Sequence, residues 1–160
     1  MKDLTLFWFR RDLRLSDNIA LTIASQHVNS AAIYIYDPEI ILNSDFSYLH
    51  FDFIHDSLIE LDKAFSQKGS HLNIYHNRSV DVLKTIQHQY SIKRLISHQQ
   101  TGNWVQFNQD KQLSDYCKKN GIEWLEFQSN GVIRDLKDRD GWSKRWNSDM
   151  KKKLLSVPDI

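Results

Sequence analysis

The chain has 160 residues, of which 41% are hydrophobic and 26% are charged, as is typical of one globular domain. Lys and Arg total 21 and Asp and Glu 20, and this net charge of +1 excludes a nucleic-acid binder that relies on overall charge. The single cysteine, Cys117, excludes an intrachain disulfide. Because no apolar stretch resembles a signal peptide or reaches the ~20 residues of a membrane span, we expect a cytoplasmic protein without membrane contact.

Five short apolar runs predict β-strands. They lie at 4–9, 31–36, 72–75, 94–97 and 123–127. The first run is apolar on both faces, which is typical of a parallel strand covered on both sides by helices. Trp8 in this run is expected in the core.

Helical patterns alternate with these strands. Either Asp17 or Asn18 can cap the first helix. The longest helix carries apolar residues spaced by three and four from Phe51 to Phe65, and it ends at Lys68 and Gly69. Ser79 is expected to cap the next helix, whose apolar positions are Val80, Leu83, Ile86 and Tyr90.

Asn103 opens the last helix of this series, which ends near Gly121 and places Trp104 and Cys117 in the core. Strands that alternate with helices predict an α/β fold of three α-β-α layers. Its sheet is a five-stranded, parallel, doubly wound, Rossmann-like sheet with the expected order 3-2-1-4-5. Ligands of such sheets bind at the carboxyl ends of the strands.

Residues 131–160 differ from the rest, because the stretch 134–153 has eight basic and four acidic residues and a net charge of +4. We expect domain 1–130 to be followed by a basic linker, 131–160, within a longer protein. Trp142 and Trp146 lie four apart and share one helix face, suited to stacking on a base or flavin or to docking on another domain.

Common catalytic and cofactor motifs are absent. No GxGxxG or GxxxxGK[ST] follows a strand, and the seven histidines show no metal-ligand spacing, so the sequence predicts no metal site and no catalytic residue.

Three segments carry a resemblance to one family. They are Phe7–Asn18 (FWFRRDLRLSDN), Ser97–Trp104 (SHQQTGNW), and Asn130–Arg134 (NGVIR) with Asp138–Trp142 (DRDGW) and Arg145-Trp146. In these positions the chain resembles the N-terminal α/β domain of the DNA photolyase/cryptochrome family.

The resemblance implies a light-dependent DNA-repair flavoprotein acting on UV-damaged DNA. In that family FAD binds a C-terminal helical domain, which is not part of this chain, so no catalysis is expected from the chain alone. In many members a folate, a deazaflavin or a flavin lies against the α/β domain as a light-harvesting antenna. Trp142 and Trp146 do not correspond to the family's electron-transfer tryptophans.

Six residues at the expected carboxyl edge are candidates for an antenna site: Arg10, Tyr36, Asp37, Gln99, Gln100 and Asn103. Gln99 and Gln100 replace a glutamate pair that many bacterial members carry, and an amide donates hydrogen bonds as well as accepting them. The chromophore contact is therefore expected to differ from that of those relatives.

The motif residues Arg11, Asp12, Arg14, Asp17 and Asn18 are expected to tie the first loop by ion pairs and a helix cap. For 98–103 a structural and a functional role remain open. Two further hypotheses are a cryptochrome-type blue-light receptor without repair activity and a stand-alone nucleotide-binding α/β protein.

Overall fold

The computed structural model describes residues 1–134 and 136–160. Eleven elements lie in these ranges: β1 (Lys2–Phe9), α1 (Ile19–Ser25), β2 (Ser30–Tyr36), α2 (Pro38–Ile41), α3 (Tyr48–Gln67), β3 (Leu72–His76), α4 (Ser79–Gln87), β4 (Tyr90–His98), α5 (Trp104–Lys119), β5 (Glu123–Phe127) and α6 (Trp142–Met150). No helix in the described ranges is long and apolar enough to cross a membrane.

The five strands form one parallel sheet with the order β3-β2-β1-β4-β5. This confirms the predicted fold and strand order. Helices α1 and α3 pack on one face, where Phe9 and Phe65 lie in the core. Helices α4 and α5 pack on the other, where Trp8 and Leu113 are buried. The alternation of Trp8 and Phe9 explains why β1 is apolar throughout.

Helix ends follow the sequence signals in three places. Asn18, not Asp17, caps α1, because its Oδ1 accepts from the Leu21 N–H at 2.9 Å. Asn103 caps α5 in the same way, and Lys68 with the left-handed Gly69 ends α3.

Two predictions around α4 are wrong. Ser79 is the first residue of α4, which begins after Arg78 without a side-chain cap. The Ser79 N–H instead donates to Asp37 Oδ2 at 3.1 Å, so a tertiary contact replaces the local cap. Tyr90 belongs to β4, where it pairs with Lys2 of β1, because strand pairing overrides the helical spacing.

Helix α5 corrects a third prediction. Trp104 is 71% exposed and stacks on Phe107, so it is not a core residue. The buried residues of α5 are Gln106, Gln109, Leu113 and Cys117, and Trp104 lies off that stripe. Cys117 is buried as predicted, and burial raises the pKa of its thiol to about 12.

The C-terminal segment, residues 131–160, runs beyond the sheet body, residues 2–127. The Trp142 indole N–H donates to the Gly131 carbonyl at 2.8 Å, and the Trp142 and Trp146 rings stack. Farther along, Leu155 accepts from the Asp17 N–H at 2.9 Å. Asp17 has a φ of 50°, a left-handed conformation that aspartate tolerates better than most residues. The segment therefore returns to the loop that precedes α1.

Candidate functional site at the carboxyl edge

The loop after β1 is built around a buried aspartate. Asp12 accepts hydrogen bonds from the Arg10 N–H at 2.9 Å, from Asn18 Nδ2 at 3.1 Å and from His98 Nδ1 at 2.6 Å. Burial by itself raises the pKa of Asp12, but the His98 and backbone hydrogen bonds outweigh it, and the net pKa is lowered. Asp12 therefore joins the ends of β1 and β4 and the start of α1.

The other motif residues have separate contacts. Arg14 donates to the Asp17 carbonyl at 2.9 Å, and Asn18 Nδ2 donates to the Arg14 carbonyl at 3.0 Å. Arg11 is exposed and donates to Gln106 Oε1 at 3.1 Å. Hydrogen bonds and one buried pair, Asp12 with His98, therefore hold the loop after β1 in place.

Arg10 enters a four-charge cluster, defined as Arg10, Asp110, Glu126 and Arg134. Its side chain is only 2% exposed and makes an ion pair with Asp110, while its Nη1 lies 3.9 Å from Glu126 Oε1. Its guanidinium also lies over the Trp8 ring, 4.3 Å from the centroid. Burial lowers the pKa of Arg10, and the two carboxylates oppose that effect.

A small cavity of about 70 Å³ opens beside Arg10 at the strand tips. Four of the six predicted antenna residues line it: Arg10, Tyr36, Asp37 and Gln100. Gln99 and Asn103 are not among the lining residues. The walls are mainly apolar and aromatic, and they include Trp8, Tyr34, Ile40, Ile41, Phe46 and Ile54.

Two wall residues carry buried donors without a partner among the described residues. These donors, which have no hydrogen-bond partner there, are Nε and Nη1 of Arg10 and the hydroxyl of Tyr36. Nη1 lies 3.9 Å from Glu126 Oε1, a buried acceptor that also lacks a hydrogen-bond partner. Because an unmade buried hydrogen bond is costly, the arrangement suits a ligand whose edge carries acceptor atoms. The volume is far below the roughly 300 Å³ of an ordinary ligand pocket, so a complete tricyclic ring requires the walls to move apart.

The remaining candidates make structural contacts. Asp37 caps α2 and accepts from the Ser79 N–H, and burial raises its pKa despite these bonds. Asn103 donates to Asp45 Oδ2 at 3.0 Å while it caps α5. The Gln99 N–H donates to the Phe127 carbonyl at 2.8 Å, which ties the 98–103 loop to β5.

Sequence reasoning missed the other three members of the four-charge cluster. Asp110 follows Asn103 by seven residues and Gln106 by four, a helix-face signal that places it at this edge. Glu126 is a carboxylate next to the last residue of β5, whose sequence is EWLEF. No set of three or more metal-ligating side chains comes together in the part of the chain that the structure describes.

Comparison with known proteins points to one family. The family model for DNA photolyase matches residues 5–152. The deoxyribodipyrimidine photo-lyase of Synechococcus sp. is 40% identical over 68 residues, which cover 42% of this chain and 14% of that protein. Cryptochrome-1 of Anopheles gambiae is 28% identical over 130 residues, which cover 76% of this chain and 24% of that protein.

The fold is similar to that of a solved archaeal photolyase from Sulfolobus tokodaii, a crystal structure with two FAD molecules. The TM-score is 0.76 at 24% identity, and the match covers 98% of this chain and 37% of the archaeal one. The chain thus spans a quarter or less of the two curated relatives. Since the family model covers nearly the whole of its length, the chain belongs to the DNA photolyase family.

Proposed function

We propose that this chain is the N-terminal light-harvesting and docking domain of a light-dependent, FAD-containing DNA photolyase that repairs pyrimidine dimers. Residues 1–130 form the antenna-binding domain, and 131–160 lead toward a C-terminal helical domain that binds FAD. The chain alone has no repair activity, and the intact protein works in the cytoplasm. The observation that carries this proposal is the strand-tip cavity with unpartnered donors on Arg10 and Tyr36.

The chemistry of the cavity supports a planar chromophore with carbonyl or ring-nitrogen acceptors at one edge. The Arg10 guanidinium and the Tyr36 hydroxyl can donate to such an edge, and the apolar walls supply most of the affinity. FAD is the cofactor of the family, and the Sulfolobus tokodaii structure carries a second FAD discussed there as a light-harvesting cofactor. A deazaflavin or a flavin suits this donor set.

The small volume implies that loading requires movement of one wall. One wall includes Ile40 and Ile41 of α2, a single helical turn without a buried residue. Phe51 of α3 packs on the Tyr36 ring at a centroid distance of 5.5 Å. Displacement of α2 and of the first turn of α3 would enlarge the cavity without disturbing β1, which lies at the centre of the sheet.

When bound, the chromophore would absorb blue or near-ultraviolet light and pass the excitation to reduced FAD. The role of this chain is to bind and orient it. Arg10 and Tyr36 would donate to its edge, and Gln100 and Asp37 would border it. Gln99 and Asn103 are not among the residues that line the cavity.

A cryptochrome-type receptor without repair activity is the second candidate, and the similarity to Anopheles gambiae cryptochrome-1 over 76% of the chain favours it. Both candidates use the same α/β domain. They differ in whether the intact protein repairs DNA.

The deciding experiment is repair of DNA that carries cyclobutane pyrimidine dimers by the intact protein under blue light. We expect dimers to disappear in the light, to persist in the dark, and to persist when FAD is removed. A protein that binds FAD and leaves the dimers unchanged contradicts the repair proposal and supports the receptor.

A further inference from the structure

Arg134 is the only member of the four-charge cluster that comes from the C-terminal segment. Its Nη1 donates to Glu126 Oε2 at 2.9 Å, and its Nη2 donates to Asp110 Oδ2 at 3.0 Å. Its Nε and Nη2 also donate to the Gln100 carbonyl at 3.2 and 2.7 Å. One guanidinium therefore joins β5, α5 and the 98–103 loop.

The same two carboxylates hold Arg10. Asp110 presents Oδ1 to Arg10 and Oδ2 to Arg134, and Glu126 lies between the two guanidinium groups. With both arginines present the cluster is neutral. Loss of the Arg134 charge leaves two partly buried carboxylates against one buried cation, and such an imbalance is costly enough to favour rearrangement.

The arrangement of the cavity wall therefore depends on Arg134 at two points. Arg10 lines the cavity and is oriented through Asp110, while Gln100 lines the cavity and is held through its carbonyl. Arg134 itself is not among the lining residues. Its effect on a bound ligand must pass through these neighbours.

We propose that Arg134 is a positioning residue that couples the C-terminal segment to the antenna cavity. When Arg134 is seated, the donors of Arg10 and the position of Gln100 are fixed for a chromophore. When Arg134 leaves the cluster, Arg10 and Gln100 lose their fixed positions and the affinity for the chromophore falls. The ligand part of this inference rests on the proposed function, whereas the positioning of Arg10 does not.

The contacts of Arg134 distinguish it from other basic residues of the segment. Arg139 is exposed, and it enters no ion pair among the described residues. Arg139→Gln therefore removes the same charge from the same segment without touching the cluster. It is a matched control for Arg134→Gln.

The experiment compares the wild-type chain with R134Q, R134K and R139Q by two measurements. The first is the exchange rate of the Arg10 Nε–H with water, measured by NMR; it reports the seating of Arg10 and needs no ligand. The second is the affinity for FMN, followed by flavin fluorescence. A urea unfolding curve for each variant separates local rearrangement from loss of the fold.

We expect R134Q to speed Arg10 exchange and to weaken FMN binding, each by about tenfold, the change that ~1.4 kcal/mol produces. R139Q should change neither the exchange rate nor the FMN affinity. R134K should give values between those of the wild type and R134Q, because an ammonium keeps the charge but cannot make the forked contacts. If R134Q does not fold, Arg10 exchange and FMN affinity are compared between R134K and R139Q, and a change in R134K alone supports the positioning role.

Unchanged Arg10 exchange in R134Q, or an equal change in R139Q, overturns the positioning role. A wild-type chain that does not bind FMN contradicts the flavin-type antenna of the proposed function, while Arg10 exchange still decides the role of Arg134.

Discussion

The sheet body and the C-terminal segment are held in place by different forces. In the sheet body, two apolar cores cover both faces of the sheet, and residues such as Phe9 and Leu95 are fully buried. Helix α6 of the segment has no buried residue. The segment is attached to the sheet body by polar contacts of Arg134 and Leu155 and by Ile160, which packs against the core. Apolar burial is shared by many residues, whereas the segment depends on a few contacts, so damage to α6 should stay local.

Phe9→Ala should produce the largest loss of stability. Phe9 is 0% exposed and packs edge-to-face on Phe7 and Phe65. Removal of its ring leaves a cavity in the core, and we expect the free energy of unfolding to fall by about 3–5 kcal/mol. Urea denaturation measures this change, and a loss below about 1 kcal/mol would contradict the role given to this core.

Asp12→Asn should have the second largest effect. We expect the free energy of unfolding, measured by urea denaturation, to fall by about 3 kcal/mol, because the substitution breaks a buried pair and leaves His98 without its carboxylate partner. The exposed Asp3–Lys93 pair supplies the control, and Asp3→Asn should cost less than about 1 kcal/mol.

The Asp12 pair also predicts a pH dependence. The folded-state pKa of Asp12 is lowered from the usual aspartate value of 3.8. Its contribution is therefore complete above that value and disappears as the pH falls through the folded-state pKa. Stability measured from pH 7 down to pH 2 should fall less steeply in Asp12→Asn than in the wild type at the acid end. Parallel curves would contradict this assignment.

Gly131→Ala should disturb the packing of α6 within the segment and leave the sheet body intact. A Cβ at this position would lie 2.4 Å from Cζ3 and 2.5 Å from Cε3 of Trp146, so α6 must move. Amide exchange in 142–150 should rise, while the free energy of unfolding changes by about 1 kcal/mol or less, since α6 adds no buried residue to the core.

A second variant checks the cause. In a Trp146→Ala background the same glycine substitution should have little further effect on α6, because the clashing ring is gone. Undiminished exchange protection of α6 in Gly131→Ala itself would mean that Trp146 does not hold the helix against this loop.

Neutralising three exposed lysines of the segment, Lys151, Lys152 and Lys153, to glutamine should have the smallest effect. Lys152 pairs with Asp149 three residues earlier on the exposed surface. We expect the free energy of unfolding to change by less than about 0.5 kcal/mol. A larger loss would show that the charge of this stretch stabilises the sheet body.

The same contrast explains what the sequence could and could not predict. Apolar runs identified the five strands. Their alternation with helices predicted the parallel sheet and its order. Hydrophobic periodicity misassigned Tyr90 and Trp104, since strand pairing with Lys2 and the position of the buried stripe on α5 are tertiary facts. It also missed the partnership of Arg134 with Asp110, since the two residues lie 24 positions apart and no local signal links them.

For the candidate site, too, the sequence predicted what topology sets and missed what tertiary packing sets. Parallel topology alone brings Arg10, Tyr36, Asp37 and Gln100 to one edge, which is why these residues could be chosen together. The cavity size and the unpartnered Tyr36 hydroxyl depend on the packing of α2 and α3, and no spacing rule predicts them.

The absorption spectrum of the intact protein, compared with that of its Tyr36→Phe variant, tests the central claim most directly. This substitution removes only a hydroxyl that has no partner among the described residues. We predict that the wild type carries a second pigment in addition to one FAD and that the variant retains less of it at equal FAD content. One FAD per protein with no second pigment in either sample would contradict the account.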